Sequence, residues 1–204
     1  MLNKIIKTVF AATIAFMALQ GAAAGQLKGE FDKVGNVPAV KSLDKVVFEE
    51  FFNFTCPHCN NFRKASKSML DKHAKRLKIV NTPIIFPKQA DYPLRLYYVA
   101  EKLGKGEEIK ALIFNATFEY SVNVYDPATV DFIARSAGIG EEYKAQGQSD
   151  WVNRKIEDSM VRAKKYGVQA TPTVVLQESM LISPSTGMTE FVNNIDALIS
   201  QVLK

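Results

Sequence analysis

Residues 45–59, KVVFEEFFNFTCPHC, decide how this chain of 204 residues folds. The first ten of them are rich in Val and Phe, which is typical of a strand buried on both faces, as central parallel strands are. Pro57 suits the first turn of a helix, with Thr55 or Cys56 as the capping residue. The stretch therefore predicts a strand that leads directly into a helix, with a Cys-x-x-Cys motif at the junction.

The remainder of the chain alternates between strand and helix patterns. Pro83 is expected to push the second strand towards a sheet edge or a bulge. The order predicts an α/β sheet with a helical block inserted beside it as a lid or subdomain. The predicted helices cover residues 57–77, 93–103, 107–120, 127–137, 150–166 and 188–203, and the further strands cover 79–86, 173–176 and, antiparallel to the last, 180–182.

The first 24 residues predict a secretory leader. Lys4 and Lys7 give a positive start, residues 9–19 are apolar apart from one threonine, and residues 22–24 are three alanines. We expect a signal peptidase to cleave after Ala24, which makes the protein exported. An uncleaved anchor or a buried helix is the alternative, but the apolar stretch is well short of the roughly 20 residues that cross a bilayer.

Composition and charge exclude several classes of protein. With 47% hydrophobic and 23% charged residues the chain is close to the globular average, which excludes disorder and collagen-like repeats. The formal net charge of +5 falls to +3 when the two leader lysines are removed. We expect no nucleic-acid partner, because no basic block is interleaved with aromatic residues. The basic run at residues 72–78 is interpreted as a solvated helix face, with His73 exposed.

The two cysteines, Cys56 and Cys59, predict a redox-active pair. A crosslink over so short a loop stabilises by only about 2 kcal/mol, which argues against a structural disulfide. At a helix N-terminus, Cys56 is favoured as a thiolate, and Cys59 lies one turn later, where it can attack a mixed disulfide. Pro57 would keep the turn rigid, and protonated His58 would add a positive charge beside the thiolate.

Metal binding is the alternative from another class of function. A structural zinc site needs four ligands, and the chain has only two cysteines and two histidines. Because His58 lies between the cysteines on a rigid turn, it cannot easily join them around one ion. We therefore expect no metal and no bound cofactor. A periplasmic metal-binding or copper-binding protein that uses Cys56, Cys59 and His58 stays open as an alternative.

Residues 54–59, Phe-Thr-Cys-Pro-His-Cys after a Phe-rich strand, resemble the DsbA-type thiol:disulfide oxidoreductases of the bacterial periplasm. Residues 138–143 are similar to the insertion of that family, and residues 167–173 are similar to its proline loop. The resemblance implies a thioredoxin fold over residues 25–86 and 150–204. It also implies an inserted all-helical domain over residues 87–149.

Three further site residues follow from the resemblance. Pro172 matches the cis-proline that faces the disulfide, and Thr171 is the neighbour whose backbone would pair with substrate. Glu50, six residues before Cys56, matches a buried acid that assists proton transfer. Phe48 and Phe52 share its face of the strand, so burial without a partner would raise its pKa. The alternative is that Glu49 or Glu50 caps an edge or pairs with a lysine.

The resemblance implies a monomeric dithiol oxidase that donates the Cys56–Cys59 disulfide to reduced exported proteins. A DsbB-type membrane quinone reductase would reoxidise it. An isomerase or reductase would use the same cysteines, but family isomerases carry an N-terminal dimerisation domain, for which the roughly 20 residues after the leader leave no room. Among other aromatic residues, Tyr97 and Tyr98 are candidates to line a peptide groove, and Trp151 is a candidate packing anchor.

Overall fold

The computed structural model describes residues 26–185 and 187–204, so the proposed leader and its cleavage site lie outside the described residues. The strands are β1 (Asp32–Lys33), β2 (Val46–Phe52), β3 (Leu77–Pro83), β4 (Thr173–Leu176) and β5 (Met180–Ile182). The helices are α1 (Pro57–Ala65), α2 (Lys67–His73), α3 (Tyr92–Lys102), α4 (Gly106–Phe118), α5 (Pro127–Ser136), α6 (Gly140–Gln146), α7 (Asp150–Tyr166) and α8 (Met188–Val202). None of these helices is both long and apolar enough to cross a membrane.

The five strands form one mixed sheet in the order β1-β5-β4-β2-β3. Strand β2 pairs parallel with β3 and antiparallel with β4, and β5 pairs antiparallel with β4. The predicted burial of β2 on both faces is confirmed, since six of its seven residues are buried. The edge position predicted for the strand with Pro83 is also confirmed, because β3 ends the sheet. The two-residue strand β1 was not predicted.

Side-chain alternation along β2 divides its contacts between two layers of helices. Val46 and Phe48 pack in a buried cluster with Phe62 of α1 and with the apolar face of α8. On the other face, Phe51 packs in a separate cluster with residues of α7. The strand that carries the motif is therefore covered by α1 and α8 on one side and by α7 on the other.

The inserted helices α3 to α6 lie in sequence between β3 and α7. Their apolar core is continuous with the end of β2, because Phe52, Phe54 and Cys59 belong to the same buried cluster as Ile113 and Phe114 of α4. The α/β sheet with a helical insertion is as predicted. The insertion also supplies part of the apolar surroundings of the cysteine pair.

The single helix predicted over residues 57–77 is wrong. The chain divides at Ser66, where a ψ of −11° departs from the usual helical value of about −42°. Serine competes for backbone hydrogen bonds and is a weak helix former, which suits it to this break. A short 3₁₀ turn then follows α2, and β3 begins at Leu77 and ends at Pro83, earlier than the predicted strand over residues 79–86.

The predicted exposure of His73 is also wrong. His73 is buried, and its Nε2 lies 2.6 Å from Oδ1 of Asp196 on α8. Lys72 donates to the same carboxylate at 2.8 Å. The start of the basic run is therefore held against α8 through Asp196.

Candidate active site

Cys56 is the N-cap of α1, in extended conformation with φ −86° and ψ 115°. Its carbonyl accepts hydrogen bonds from the backbone N–H groups of Cys59, at 3.1 Å, and Asn60, at 3.2 Å. Pro57 occupies the first turn, which contains no acidic residue. The unpaired N–H groups and the helix dipole therefore favour negative charge at this position, as the sequence predicts.

The two cysteines are free thiols in very different surroundings. Cys56 is half-buried, and Cys59 is completely buried. A hydrogen bond from the Cys59 side chain, with others from the Thr171 side chain and the N–H groups of Cys59 and His58, lowers the pKa of Cys56 to about 5 despite its burial. Burial, and then the Cys56 neighbour, raise the pKa of Cys59. At neutral pH, Cys56 is a thiolate beside a protonated Cys59.

The proline loop meets Cys56 from a distant part of the sequence. In the thiol form, the Cys56 Sγ–H donates to the carbonyl oxygen of Thr171 at 3.2 Å. The Thr171–Pro172 peptide bond is cis. Pro172 is buried, whereas Thr171 is partly exposed beside the sulfur. The structure thus brings the two residues of the loop to the cysteine pair.

Pro57 and His58 are both exposed at the start of α1. They lie between the two cysteines in sequence, so they form the outer surface of the motif.

Glu50 is buried on the α1 face of β2, where Lys110 of α4 donates to its Oε2 at 2.7 Å. Lys110 also donates to Oδ1 of Asn81 at 2.6 Å and lies 4.3 Å from the centroid of the Phe52 ring. The expectation of an unpaired carboxylate is therefore wrong, and the alternative of a lysine partner is correct. The physical reason is that burying a lone charge costs much more than burying a hydrogen-bonded pair.

The second carboxylate oxygen of Glu50 does not take part in the ion pair. Oε1 is buried and has no hydrogen-bond partner among the described residues. A cavity of about 440 Å³ borders the Glu50–Lys110 pair and is also lined by Arg63 and Ser66, near the end of α1. The pair therefore adjoins a space large enough for water at the C-terminal end of α1.

Glu49 faces the opposite side of the sheet. Arg162 of α7 holds it with two hydrogen bonds, Nε to Oε1 at 2.7 Å and Nη2 to Oε2 at 2.5 Å. The Thr82 hydroxyl donates to Oε1 at 2.7 Å. These contacts attach α7 to the sheet and keep Glu49 on the face away from α1.

Tyr97 and Tyr98 offer almost no exposed surface to a peptide, which contradicts their prediction as groove residues, although Tyr98 borders a pocket between β3 and α7. Both are buried, and Tyr98 is hydrogen-bonded through its hydroxyl to Ser159 of α7. They are core because α3 packs against α4 and α7. Trp151 packs against the same cluster, as predicted, with Lys102 Nζ 4.5 Å from its ring centroid.

Lys110 is the main site residue that the sequence did not indicate. A lysine in a helix is ordinarily expected to be solvent-exposed, and its carboxylate partner is 60 residues away. The weak signal is its position in the apolar run Ile109 to Phe114. In residues 26–185 and 187–204, no three His, Cys, Asp or Glu side chains gather as metal ligands would.

Three features define the class of this protein. They are a parallel strand, a helix that begins at Cys-x-x-Cys, and a proline loop that faces the first cysteine. The sequence profile of the family described as Thioredoxin matches residues 41–197, and the chain belongs to that family.

Its relatives narrow the class. The chain is 26% identical to the thiol:disulfide interchange protein DsbA of Burkholderia cepacia, over 81% of this chain and 79% of the relative. It is 24% identical to DsbA of Pseudomonas syringae pv. tomato, over 86% and 83% of the two chains. With these relatives, the chain is a DsbA-type thiol:disulfide oxidoreductase, as the sequence resemblance predicted.

Solved structures agree on the fold. DsbA of Xylella fastidiosa has a TM-score of 0.70 at 19% identity, covering 83% of this chain and 93% of that one. A structure of Proteus mirabilis DsbA with a non-covalently bound peptide that contains a cysteine has a TM-score of 0.66 at 20% identity, covering 87% and 97%. The predicted thioredoxin fold with an inserted helical domain is confirmed.

Proposed function

We propose that this protein is a periplasmic dithiol oxidase that donates the Cys56–Cys59 disulfide to reduced exported proteins. The observation that carries the proposal is the contrast between the two thiols, with the pKa of Cys56 lowered to about 5 and that of Cys59 raised. Stabilising the Cys56 thiolate stabilises the reduced enzyme, which makes its disulfide more oxidising.

The reaction proceeds through a mixed disulfide. A substrate thiolate attacks Sγ of Cys56, the Cys56–Cys59 bond breaks, and Cys59 leaves as a thiolate that must take up a proton. The second substrate thiolate then attacks the substrate sulfur in the mixed disulfide and releases Cys56 as a thiolate. Two substrate thiols are oxidised to one disulfide, and the enzyme disulfide is reduced by the same two electrons.

Glu50 is proposed to supply the proton that Cys59 needs. Burial makes the Cys59 thiolate a poor leaving group, because its pKa is raised. Glu50 is on the face of β2 that bears Phe52, and Phe52 packs with Cys59 in one buried cluster. Its Oε1 has no partner in the described chain and can exchange a proton with water in the neighbouring cavity.

The remaining site residues are proposed to bind substrate and to adjust the reactivity of the Cys56 sulfur. The Thr171 backbone, whose carbonyl lies 3.2 Å from the Cys56 sulfur, would pair with an extended segment of substrate next to its cysteine. Pro172 shapes that loop, and exposed Pro57 and His58 form the surface under the substrate. The cysteine-containing peptide on the Proteus mirabilis relative supports a polypeptide as the substrate.

The proposal includes a compartment and partners. The leader predicted over residues 1–24 would deliver the chain to the periplasm, where disulfides persist. The disulfide itself carries the electrons, so no bound cofactor or metal is required. We propose a monomer without a nucleic-acid partner, which a DsbB-type membrane quinone reductase reoxidises.

Equilibration with glutathione tests the oxidase proposal. The Cys56–Cys59 couple should be clearly more oxidising than thioredoxin at about −270 mV, and the thiolate absorbance of the reduced enzyme should titrate near pH 5. Cys56→Ser and Cys59→Ser should each abolish oxidation of a reduced peptide, because neither variant can form the Cys56–Cys59 disulfide. With oxidised glutathione as the oxidant, Cys59→Ser should still form a mixed disulfide between Cys56 and glutathione, whereas Cys56→Ser should not. A potential near thioredoxin's would contradict an oxidase in favour of a reductase, and a tight one-to-one metal in the reduced protein would favour the metal-binding alternative.

A further inference from the structure

Asn53 is a buried polar residue at the end of β2, three residues before Cys56, and the proposed exchange reaction does not use it. It is only 2% exposed. Its Nδ2 donates to the carbonyl oxygen of Ile84 at 2.9 Å and to Oε1 of Gln89 at 2.8 Å. Both amide hydrogens are therefore used, and both go to the segment that follows β3.

The amide oxygen of Asn53 holds the turn before the nucleophile. Oδ1 accepts from the backbone N–H of Thr55 at 2.9 Å and from the Thr55 hydroxyl at 2.8 Å. The backbone carbonyl of Asn53 accepts from the N–H of Cys56 at 3.1 Å. Side chain and backbone of one residue thus close the turn from Asn53 to Cys56.

The inserted helical domain reaches the same turn. Tyr125, between α4 and α5, has its hydroxyl 3.0 Å from Oγ1 of Thr55 and 3.4 Å from Oδ1 of Asn53. The turn is consequently held by three separate segments: the end of β2, the stretch after β3, and the insertion. Such a polar network fixes one arrangement when all its members are paired.

We propose that Asn53 is a positioning residue for Cys56, with Tyr125 of the insertion and Gln89 as its outer supports. The network sets where the turn delivers the Cys56 sulfur relative to the first N–H groups of α1 and to the Thr171 carbonyl. The proposal rests on the proposed function to the extent that Cys56 is the exchanging sulfur. It assigns to the helical insertion a direct part in the reactivity of that sulfur.

Loss of the network is expected to act on the sulfur as well as on the fold. A looser turn lets the Cys56 sulfur move away from the N–H groups of His58 and Cys59, which help to lower its pKa. The pKa of Cys56 then rises. The reduced enzyme loses stabilisation, so the disulfide becomes less oxidising.

The test compares the glutathione equilibrium constant and the thiolate titration of the wild type with those of a variant series. Asn53→Ala should lower the oxidising equilibrium constant about tenfold, which is about 30 mV for two electrons. Thr55→Val and Tyr125→Phe should each shift it by about threefold in the same direction, with a matching rise in the Cys56 pKa. Thr55→Ser keeps the hydroxyl and should stay near the wild-type value.

Tyr166→Phe is the matched control for removing a hydroxyl. The Tyr166 hydroxyl is buried and has no hydrogen-bond partner in the described part of the chain. This variant should leave the equilibrium constant within twofold of the wild type. A merely structural network would lower the unfolding midpoint of the Asn53 and Thr55 variants without moving the equilibrium constant or the titration.

Two outcomes overturn the positioning role. The first is a folded Asn53→Ala variant whose glutathione equilibrium constant and Cys56 titration both equal those of the wild type. The second applies if Asn53→Ala does not fold: both measurements are then unchanged in Thr55→Val and in Tyr125→Phe. The glutathione equilibrium constant of the wild type tests the oxidase proposal. The ratio of the variant's equilibrium constant to that of the wild type tests the role of Asn53. Failure of one is therefore distinguishable from failure of the other.

Discussion

Glu49 and Glu50 are neighbours on β2 and both are buried, yet their surroundings differ completely. Glu49 faces α7, and Arg162 of that helix together with Thr82 of β3 donates to both of its oxygens. Glu50 faces α1 and α4, where Lys110 donates to one oxygen and the other has no partner within the described residues. Alternation along the strand places two identical side chains on opposite faces.

The difference supports a structural role for the Glu49 pair and the proton-transfer role that we propose for Glu50. Every oxygen of Glu49 is occupied by a donor, and the hydrogen bond with Glu49 raises the pKa of Arg162. The Arg162–Glu49 pair therefore attaches α7 to the sheet. Glu50 keeps one oxygen without a donor among the described residues, next to a cavity large enough for water.

Removing Lys110 should have the largest effect on stability. Lys110→Met leaves Glu50 buried without its cation, and such a loss costs about 3–5 kcal/mol. The unpaired carboxyl acquires a folded-state pKa above its unfolded value of about 4.3. The deficit should therefore be small below about pH 4 and grow as pH rises through the raised value, as urea unfolding at pH 4 and pH 7 would measure.

Lys67→Met is the matched control for that measurement. Lys67 pairs with Asp71 at 2.6 Å, but both side chains are largely exposed, and such pairs contribute about 0–1 kcal/mol. Two results would show that Lys110 does not hold Glu50 in solution. In the first, Lys110→Met loses no more unfolding free energy than Lys67→Met, and in the second it loses the same amount at both pH values.

Removing Arg162 should cost less than removing Lys110. The Arg162 side chain is 35% exposed, so water can reach Glu49 in Arg162→Met, and Thr82 still donates to the carboxylate. We expect a loss of about 1–3 kcal/mol in urea unfolding at pH 7. If Arg162→Met proved more destabilising than Lys110→Met, the stability of the fold would depend more on the cation that pairs with Glu49 than on the one that pairs with Glu50.

The sequence could predict those features of the site that local pattern determines. The Val-rich and Phe-rich run predicted a buried β2, alternation predicted the burial of Glu50, and the motif predicted a cysteine at the start of α1. Lys110 could not be found in this way, since it comes from another helix, 60 residues further along the chain. Tertiary packing, not periodicity, brings it to Glu50.

The same limit explains the errors elsewhere in the chain. The burial of His73 depends on Asp196 of α8, which no local pattern connects to the basic run. Asn53 stands in the apolar run FFNF, where a polar residue is a local signal. Its partners Gln89 and Tyr125, however, come from segments that only the folded chain brings together.

Exchange kinetics should separate the two glutamates by a smaller but more specific effect. Glu50→Gln cannot transfer a proton, so mixed-disulfide formation with a reduced two-cysteine peptide should slow by about tenfold, because Cys59 then leaves without its proton donor. Glu49→Gln removes a buried charge on the same strand and is the matched control, with an expected rate within twofold of the wild type. After both variants are verified as folded, rapid mixing followed by acid quenching measures how fast each forms the mixed disulfide.

The solvent isotope dependence of those rates decides why Glu50 matters. Proton transfer from Glu50 to Cys59 predicts that the wild-type rate falls when H₂O is replaced by D₂O, and Glu50→Gln should lose that dependence. Equal slowing in Glu49→Gln and Glu50→Gln would instead mean that either buried charge merely holds β2 in place. In that case the unoccupied oxygen of Glu50 would have no role in exchange, and the contrast between the two faces would be one of packing alone.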